Sequence, residues 1–336
     1  MIGLSENLNT FQFARVILFI IICVTFVEAI FNNDLSLLNR LVTKKIPDYQ
    51  LIDCGDFEKL ERFGPYYLIR PESQAIWKRK MSNAEWQKLA HAHFKREQQK
   101  VSYRSGEPGN GGWNFFKKMP DNWLIKCPLP QGSFTLKLSL TSFGHVGIFP
   151  EQIDNWNFIY SFVRESRVSN PRVLNAFAYT GGASLAARAA GAEVTHLDAV
   201  KQVVNWAKEN MTLSKLSDIR WIVDDALKFL RREEKRGKTY QGLILDPPAY
   251  GRGPGGERWI LDENINEVLN ACTNLLEPKS SFFVLNLYSL GYSPLISKNL
   301  VESHFGSKRL MFGESYIRSE TGIDLPLGTY VRFRND

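Results

Sequence analysis

Arg172-Val-Leu-Asn-Ala-Phe-Ala-Tyr-Thr-Gly-Gly-Ala-Ser-Leu185, followed by Val194-Thr-His-Leu-Asp198, is the stretch that decides the fold. Arg172 to Phe177 is a short apolar run, and Tyr179 to Ser184 reads as a turn. Leu185 to Ala190 is small and apolar with helical spacing, and Gly191-Ala192-Glu193 breaks it. Val194 to Leu197 is a second strand that ends on a carboxylate, Asp198. Strand, glycine turn, helix, strand and acid make one nucleotide-binding βαβ unit. Paired glycines let the backbone approach a ligand closely. An acid at the tip of the second strand is placed to accept bonds from ribose hydroxyls.

The G-x-G-x-x-G pattern of dinucleotide enzymes is absent, because Tyr179 occupies the first glycine position. The turn therefore suits a nucleoside ligand without a pyrophosphate, such as S-adenosylmethionine. With 336 residues, two domains are a reasonable expectation. The net charge of +7 permits a polyanion such as RNA as partner without requiring one. The cysteines Cys23, Cys54, Cys127 and Cys272 are scattered with no C-x-x-C. Neither a metal site nor a disulfide framework is expected, and a reducing, cytoplasmic compartment fits.

The chain divides into an extension, 1–45, a small β-rich α+β part, 46–140, and a larger α/β part, 141–336. In the extension, Val16 to Val27 is apolar behind Arg15. It is short for a membrane span and nearer the length of an export signal, but Val27-Glu28-Ala29 makes a poor cleavage site. Signal, peripheral anchor and an extension with no role in the fold are the three readings. In the second part, Tyr49–Asp53, Tyr66–Arg70, Trp123–Ile125 and Phe134–Leu138 read as strands. Ala84 to Gln98 reads as a helix with Trp86, Leu89, Ala90 and Phe94 on one face, and Tyr103 to Trp113 as a loop. This half is rich in aromatic residues, which suits a core or a nucleic-acid platform. His145, beside Gly144, reads as a packed hinge histidine.

Beyond Asp198, helices alternate with strands at Ile219–Val223, Gln241–Leu245 and Phe282–Leu287, and a closing pair lies near Leu310–Phe312 and Thr329–Phe333. The alternation implies a Rossmann-like, mostly parallel sheet of seven strands with the last antiparallel. In such sheets ligands lie beyond the carboxyl ends of the strands. Those ends are Tyr179 to Gly182, Asp198, Asp224-Asp225 and Asp246-Pro247-Pro248: glycine, acid, acid, acid. Repeated carboxylates on one rim repel one another, yet they suit a cationic sulfonium ligand with ribose hydroxyls.

On Asn175–Leu185, Thr195–Asp198, Asp224–Phe229 and Leu245–Tyr250, the chain resembles class I S-adenosylmethionine-dependent methyltransferases. It most resembles the bacterial 23S rRNA large-subunit enzymes that modify cytosine C5 or guanine N7. The resemblance runs from Ser142 to the end. It implies that the turn residues Asn175, Phe177, Tyr179, Thr180, Gly181 and Gly182 hold the cofactor. It further implies that Asp198 meets the ribose, that Asp225 and Ala226 meet adenine, and that Phe149 and Gln152 cover the ligand. Asn175 stands where many relatives carry aspartate. The C5 enzymes need a cysteine nucleophile on a rim loop after a late strand, and Asn286-Leu-Tyr-Ser-Leu-Gly291 has none, which argues against C5 chemistry.

The expected reaction is therefore methyl transfer to a base nitrogen in RNA, with ribosomal RNA as partner. Asp246 accepts a hydrogen bond from the reacting nitrogen, the Pro247 carbonyl accepts a second, Pro248 ends the strand, and Tyr250 stacks on the base. Arg252 to Arg258 reads as a glycine-rich, basic loop, and its Arg252 and Arg258 meet phosphates. A nicotinamide oxidoreductase, a silent RNA-binding protein, and a methyltransferase acting on a protein or small molecule are the rival readings.

Overall fold

The computed structural model describes residues 41–42, 45–96, 111–288 and 291–335, all within one compact unit. The apolar run Val16–Val27, Cys23 and the first part of the expected 103–113 loop lie outside the described residues. Among the described residues no helix is long and apolar enough to cross a membrane.

The short strand β1 (Leu41–Val42) lies at the edge of the large sheet. Strands β2 (Tyr49–Gly55), β3 (Glu58–Phe63) and β4 (Tyr66–Pro71) then form an antiparallel meander. Ser82 and Glu85 cap each other's backbone at the start of helix α1 (Asn83–Leu89). The helix expected to reach Gln98 stops there. Ala90 turns to an extended ψ of 143°. Ala92 and His93 then pair with Leu68 and Ile69 as part of strand β5 (Ala92–Arg96). Strand β6 (Gly111–Phe115) pairs antiparallel with β5, so Gly111–Trp113, expected in a loop, is strand. The apolar positions that suggested one long helical face belong to two elements: Trp86 and Ala90 pack with Leu60 and Ile69, whereas Phe94 is a strand residue paired with Trp113.

The hairpin β7 (Asn122–Pro128) and β8 (Ser133–Ser139) buries every second residue: Trp123, Ile125 and Cys127 on one strand, Phe134, Leu136 and Leu138 on the other. A 3₁₀ turn, Pro150–Gln152, leads into helix α2 (Ile153–Glu165). The alternating part follows as β9 (Arg172–Ala176), α3 (Gly182–Ala189), β10 (Glu193–Asp198), α4 (Lys201–Leu213), β11 (Ile219–Val223), α5 (Ala226–Lys235) and β12 (Gly242–Leu245). A small hairpin, β13 (Tyr250–Arg252) and β14 (Arg258–Ile260), precedes helix α6 (Leu261–Leu275). Strand β15 (Ser281–Leu287), helix α7 (Pro294–Phe305) and strands β16 (Met311–Arg318) and β17 (Asp324–Asn335) complete the chain.

The large sheet runs β1-β16-β17-β15-β12-β9-β10-β11. Strand β17 is antiparallel to both neighbours, and every other pairing is parallel. The seven-stranded expectation is met, and the Leu41–Val42 edge strand adds an eighth. Two cores cover the two faces. Val173, Val194, Ile244 and Val284 pack towards α2, α3 and the β7–β8 hairpin, while Leu174, Leu197, Leu245 and Leu285 pack towards α5 and α6. That alternation explains why the central strands read as continuous apolar runs.

The meander is joined to the large sheet by apolar and polar contacts: Leu51 and Cys54 pack with Ile317, Leu325 and Leu327, Tyr288 Oη donates to Glu72 at 3.1 Å, and Thr321 Oγ1 donates to the buried Asp53 at 2.8 Å. Arg70 Nη1 ties it to the segment after β8 by donating to the Gly144 carbonyl at 3.2 Å.

Candidate active site at the sheet rim

Strands β12, β9, β10 and β11 are consecutive and parallel, so their carboxyl ends share one rim. The rim carries Asp246, the Phe177–Gly182 turn, Asp198 and Asp225, about 4.8 Å apart strand to strand. In the turn, Phe177 (φ 57°) and Tyr179 (φ 50°) both adopt the left-handed region, which costs a bulky residue on the order of 1–3 kcal/mol. The surroundings hold them there. Tyr179 N donates to Asp198 Oδ2 at 2.9 Å, Ala178 N to the Leu197 carbonyl at 3.1 Å, and Thr180 Oγ1 to the Gly147 carbonyl at 2.7 Å. Gly181 takes φ 95° at the start of α3, and a Cβ on Gly182 would lie 2.6 Å from the Trp156 ring.

A cleft opens beside this turn. Phe149 and Gln152 line it from the 3₁₀ turn, and Asn175, Phe177, Tyr179, Thr180, Gly181 and Gly182 from the strand and loop. Asp246 lines it from the end of β12. Three of the other expected cofactor residues, Asp198, Asp225 and Ala226, lie along the same rim but not in the cleft wall. The Asp198 carboxylate supports the backbone: besides Tyr179 N it accepts from Val200 N at 2.9 Å. Asp225 caps α5 by accepting from Lys228 N at 2.9 Å, and Ala226 is buried in that helix's first turn. Its neighbour Asp224 is ion-paired with Arg232.

Asp246 keeps part of its surface open. Burial pushes its carboxyl up to about 6, and a bond from Asn286 Nδ2 to its Oδ1 at 2.9 Å pulls the other way. Pro247 is buried and Pro248 exposed. The Trp259 indole donates to the Pro248 carbonyl at 2.6 Å, which pins the turn. Arg252 and Arg258, expected on a glycine-rich loop, lie instead with Tyr250 on the β13–β14 hairpin, closed by a Gly253 N to Glu257 carbonyl bond of 2.8 Å. Arg252 and Arg258 are exposed and directly opposite each other in its register.

The sequence reading missed Asn155, Asn286 and Glu151. Asn155 and Asn286 line the cleft. Asn155 donates to Gln152 Oε1 at 2.9 Å, fixing the side chain that roofs the cleft. Glu151 is buried, its Oε1 has no partner, and burial pushes its carboxyl up to about 8. The available signal for Asn286 was a polar residue at the end of the otherwise apolar run Phe282–Leu287. Trp156 of α2 also reaches the cleft. His145 packs its ring against Phe149 and Tyr179, at centroid distances of 5.4 and 6.4 Å, and burial lowers it to about 4. Among the described residues no group of three or more His, Cys, Asp or Glu side chains is placed to hold a metal ion.

Residues 134–303 match the family model described as S-adenosylmethionine-dependent methyltransferase. Ribosomal RNA large subunit methyltransferase K/L of Shewanella frigidimarina is 24% identical over 74% of this chain and 34% of its own length. Ribosomal RNA large subunit methyltransferase I of Cronobacter sakazakii is 33% identical over 32% of this chain and 27% of its own. The chain thus spans about a third or less of the length of these curated relatives. The solved structure of the SAM-dependent methyltransferase from Agrobacterium tumefaciens superposes with a TM-score of 0.80 and 35% identity, covering 89% of this chain and 94% of that one. With the family model spanning half of the chain and this solved relative nearly all of it, the chain belongs to the S-adenosylmethionine-dependent methyltransferases.

Proposed function

We propose that this enzyme methylates a base nitrogen in RNA, with ribosomal RNA as the acceptor. The observation that carries the RNA reading is the Arg252–Arg258 pair on the hairpin that follows Asp246-Pro247-Pro248. Like charges directly opposite on a hairpin are destabilising, and neither arginine has a carboxylate partner among the described residues. A phosphate backbone relieves that repulsion. The names of the relatives point the same way.

The cleft suits S-adenosylmethionine. Its wall combines the carboxylate of Asp246 with the rings of Phe149 and Tyr179, a setting that favours a cation. Asn175 donates its amide nitrogen to Ser184 Oγ at 2.9 Å, which leaves its Oδ1 as the group it offers a ligand. Gly182 closes on Trp156 without room for a side chain, so the turn and α2 form one surface. In this reading Asp198 supports the turn and accepts from ribose with its remaining lone pairs, and Asp225 and Ala226 border the adenine.

When bound, the cofactor supplies an electrophilic methyl group on a sulfonium. The chain's own part is alignment and proton handling. Asp246, once ionised, accepts an N–H from the acceptor and keeps the nitrogen lone pair directed at the methyl carbon. The Pro247 carbonyl takes a second N–H, the Trp259 bond to Pro248 having fixed the turn. Tyr250 stacks on the base from the hairpin. Cys272 is buried within α6 and its thiol is pushed up by burial, so it does not serve as a C5 nucleophile. Residues 46–140 act in this reading as an accessory domain that presents RNA to the rim, and the site of action is cytoplasmic.

Nucleoside mass spectrometry of ribosomal RNA from a deletion strain tests the proposal. Loss of one N-methylated nucleoside, restored by the intact gene, is expected. An unchanged set of modified nucleosides overturns it.

A further inference from the structure

Asn286 sits near the end of β15, a strand buried along its whole length. It is 2% exposed, and it lines the cleft. Its amide nitrogen donates to Asp246 Oδ1 at 2.9 Å, while its own Oδ1 is buried with no partner. An ionised carboxylate only accepts, so this bond fixes which end of the amide faces Asp246. A buried asparagine kept for stability alone would have both ends satisfied, because a bare buried acceptor is destabilising. Here the side chain's one protein bond goes to the group that faces the reacting nitrogen.

We propose that Asn286 is a positioning residue for methyl transfer: it orients the Asp246 carboxylate towards the acceptor and keeps it ionised at neutral pH. The proposal rests on the function inferred above. The groups around Asp246 explain why such a residue is needed. Burial favours the neutral acid, and the nearby Glu151 adds to the crowding of carboxyl groups. The bond from Asn286 opposes burial. The cations of the meander, Lys59 and Arg70, are engaged with Glu61 and Glu72.

The test uses the full chain with two variants close to asparagine in shape, N286L and N286D. S-adenosylhomocysteine affinity, measured by calorimetry, is expected to stay within about threefold of wild type, which reports a folded cofactor site. Methyl transfer at saturating cofactor is expected to fall about 10- to 100-fold at pH 7 in N286L. The rising limb of kcat against pH should move up by about one unit, so that assay at pH 9 recovers the roughly twofold part of the loss that ionisation causes and leaves the larger part, which comes from misorientation of the carboxylate. N286D should move the limb further, since adjacent carboxyls share a proton. Carbon-13 NMR titration of the Asp246 carboxyl, assigned with D246N, should give the same upward shift in N286L with no acceptor present. That arm stands whether or not RNA is the acceptor, whereas a wild-type enzyme that labels no RNA contradicts the proposed function alone. A fall in kcat that is equal at every pH, with the Asp246 titration unmoved, overturns the positioning role. So does a more than tenfold loss of S-adenosylhomocysteine affinity with kcat intact, which assigns Asn286 to the cofactor.

Discussion

In the proposed mechanism Asp246, whose carboxyl burial pushes up to about 6, is the group that gates transfer. The ionised form accepts the N–H more strongly than the neutral acid, so transfer should rise with pH through about 6. D246A should lower kcat by about 10²- to 10⁴-fold while S-adenosylhomocysteine still binds, and turnover near wild type would remove Asp246 from the mechanism. Glu151 makes a separate prediction about stability. Its folded value of about 8 lies above the ordinary 4.5, so the folded chain holds a proton that the unfolded chain releases over that range. The stability this contributes is fully present below pH 4.5 and is lost as pH rises through 8, a change on the order of 4 kcal/mol. E151Q should flatten the dependence, raising stability relative to wild type at pH 8.5 more than at pH 5 in denaturant titrations. An identical pH profile would mean that Glu151 titrates normally. At this scale the cleft residues Gly181, Gly182 and Asp246 were legible because glycine and acid at strand ends have few structural reasons to be there. Asn286 and Glu151 were not, because a lone polar residue in an apolar segment acquires meaning only from the neighbour it faces, here Asp246 for the asparagine.

Among the elements, the β13–β14 hairpin makes the sharpest claim. R252A and R258A should each weaken binding to unmodified ribosomal RNA and lower the slope of log affinity against log salt by about one. Cofactor affinity should not change. A salt slope identical to wild type would mean that the hairpin touches no phosphate. Sequence periodicity found the β/α alternation from Arg172 onward because the central strands there are buried on both faces and the ends of β9 to β12 are marked by glycine or acid. It failed at Ala84–Gln98. The helix ends where Ala90 becomes extended, and the reason is tertiary: His91 N donates to the Tyr67 carbonyl at 2.7 Å, drawing the following residues into the five-stranded sheet. Nothing local in the sequence marks that capture. The Arg252–Arg258 stretch failed in the opposite sense, since its glycines suggested loop while Tyr250–Arg252 and Arg258–Ile260 pair as strands.

Over the whole molecule, the meander and the large sheet share one compact unit and interlock through Asp53 with Thr321 and Glu72 with Tyr288. The chain should therefore unfold in a single cooperative transition by circular dichroism and tryptophan fluorescence. D53A should destabilise it by about 2–4 kcal/mol, because Met81 N, the Trp86 indole and Thr321 would each lose a buried acceptor. Two separated transitions would show that the meander folds on its own. The mostly parallel character of the large sheet could be anticipated from the alternation, but not how the meander is joined to it, since Thr321 and Asp53 meet across 268 positions of chain. The central claim is that the rim delivers a methyl group to a nitrogen of an RNA base, and it is most directly tested by incubating the purified enzyme with tritiated S-adenosylmethionine and unmodified ribosomal RNA. Label recovered in an N-methylated nucleoside, and absent with D246A, is the predicted result. Label that stays out of RNA, or that appears at cytosine C5, would contradict the account.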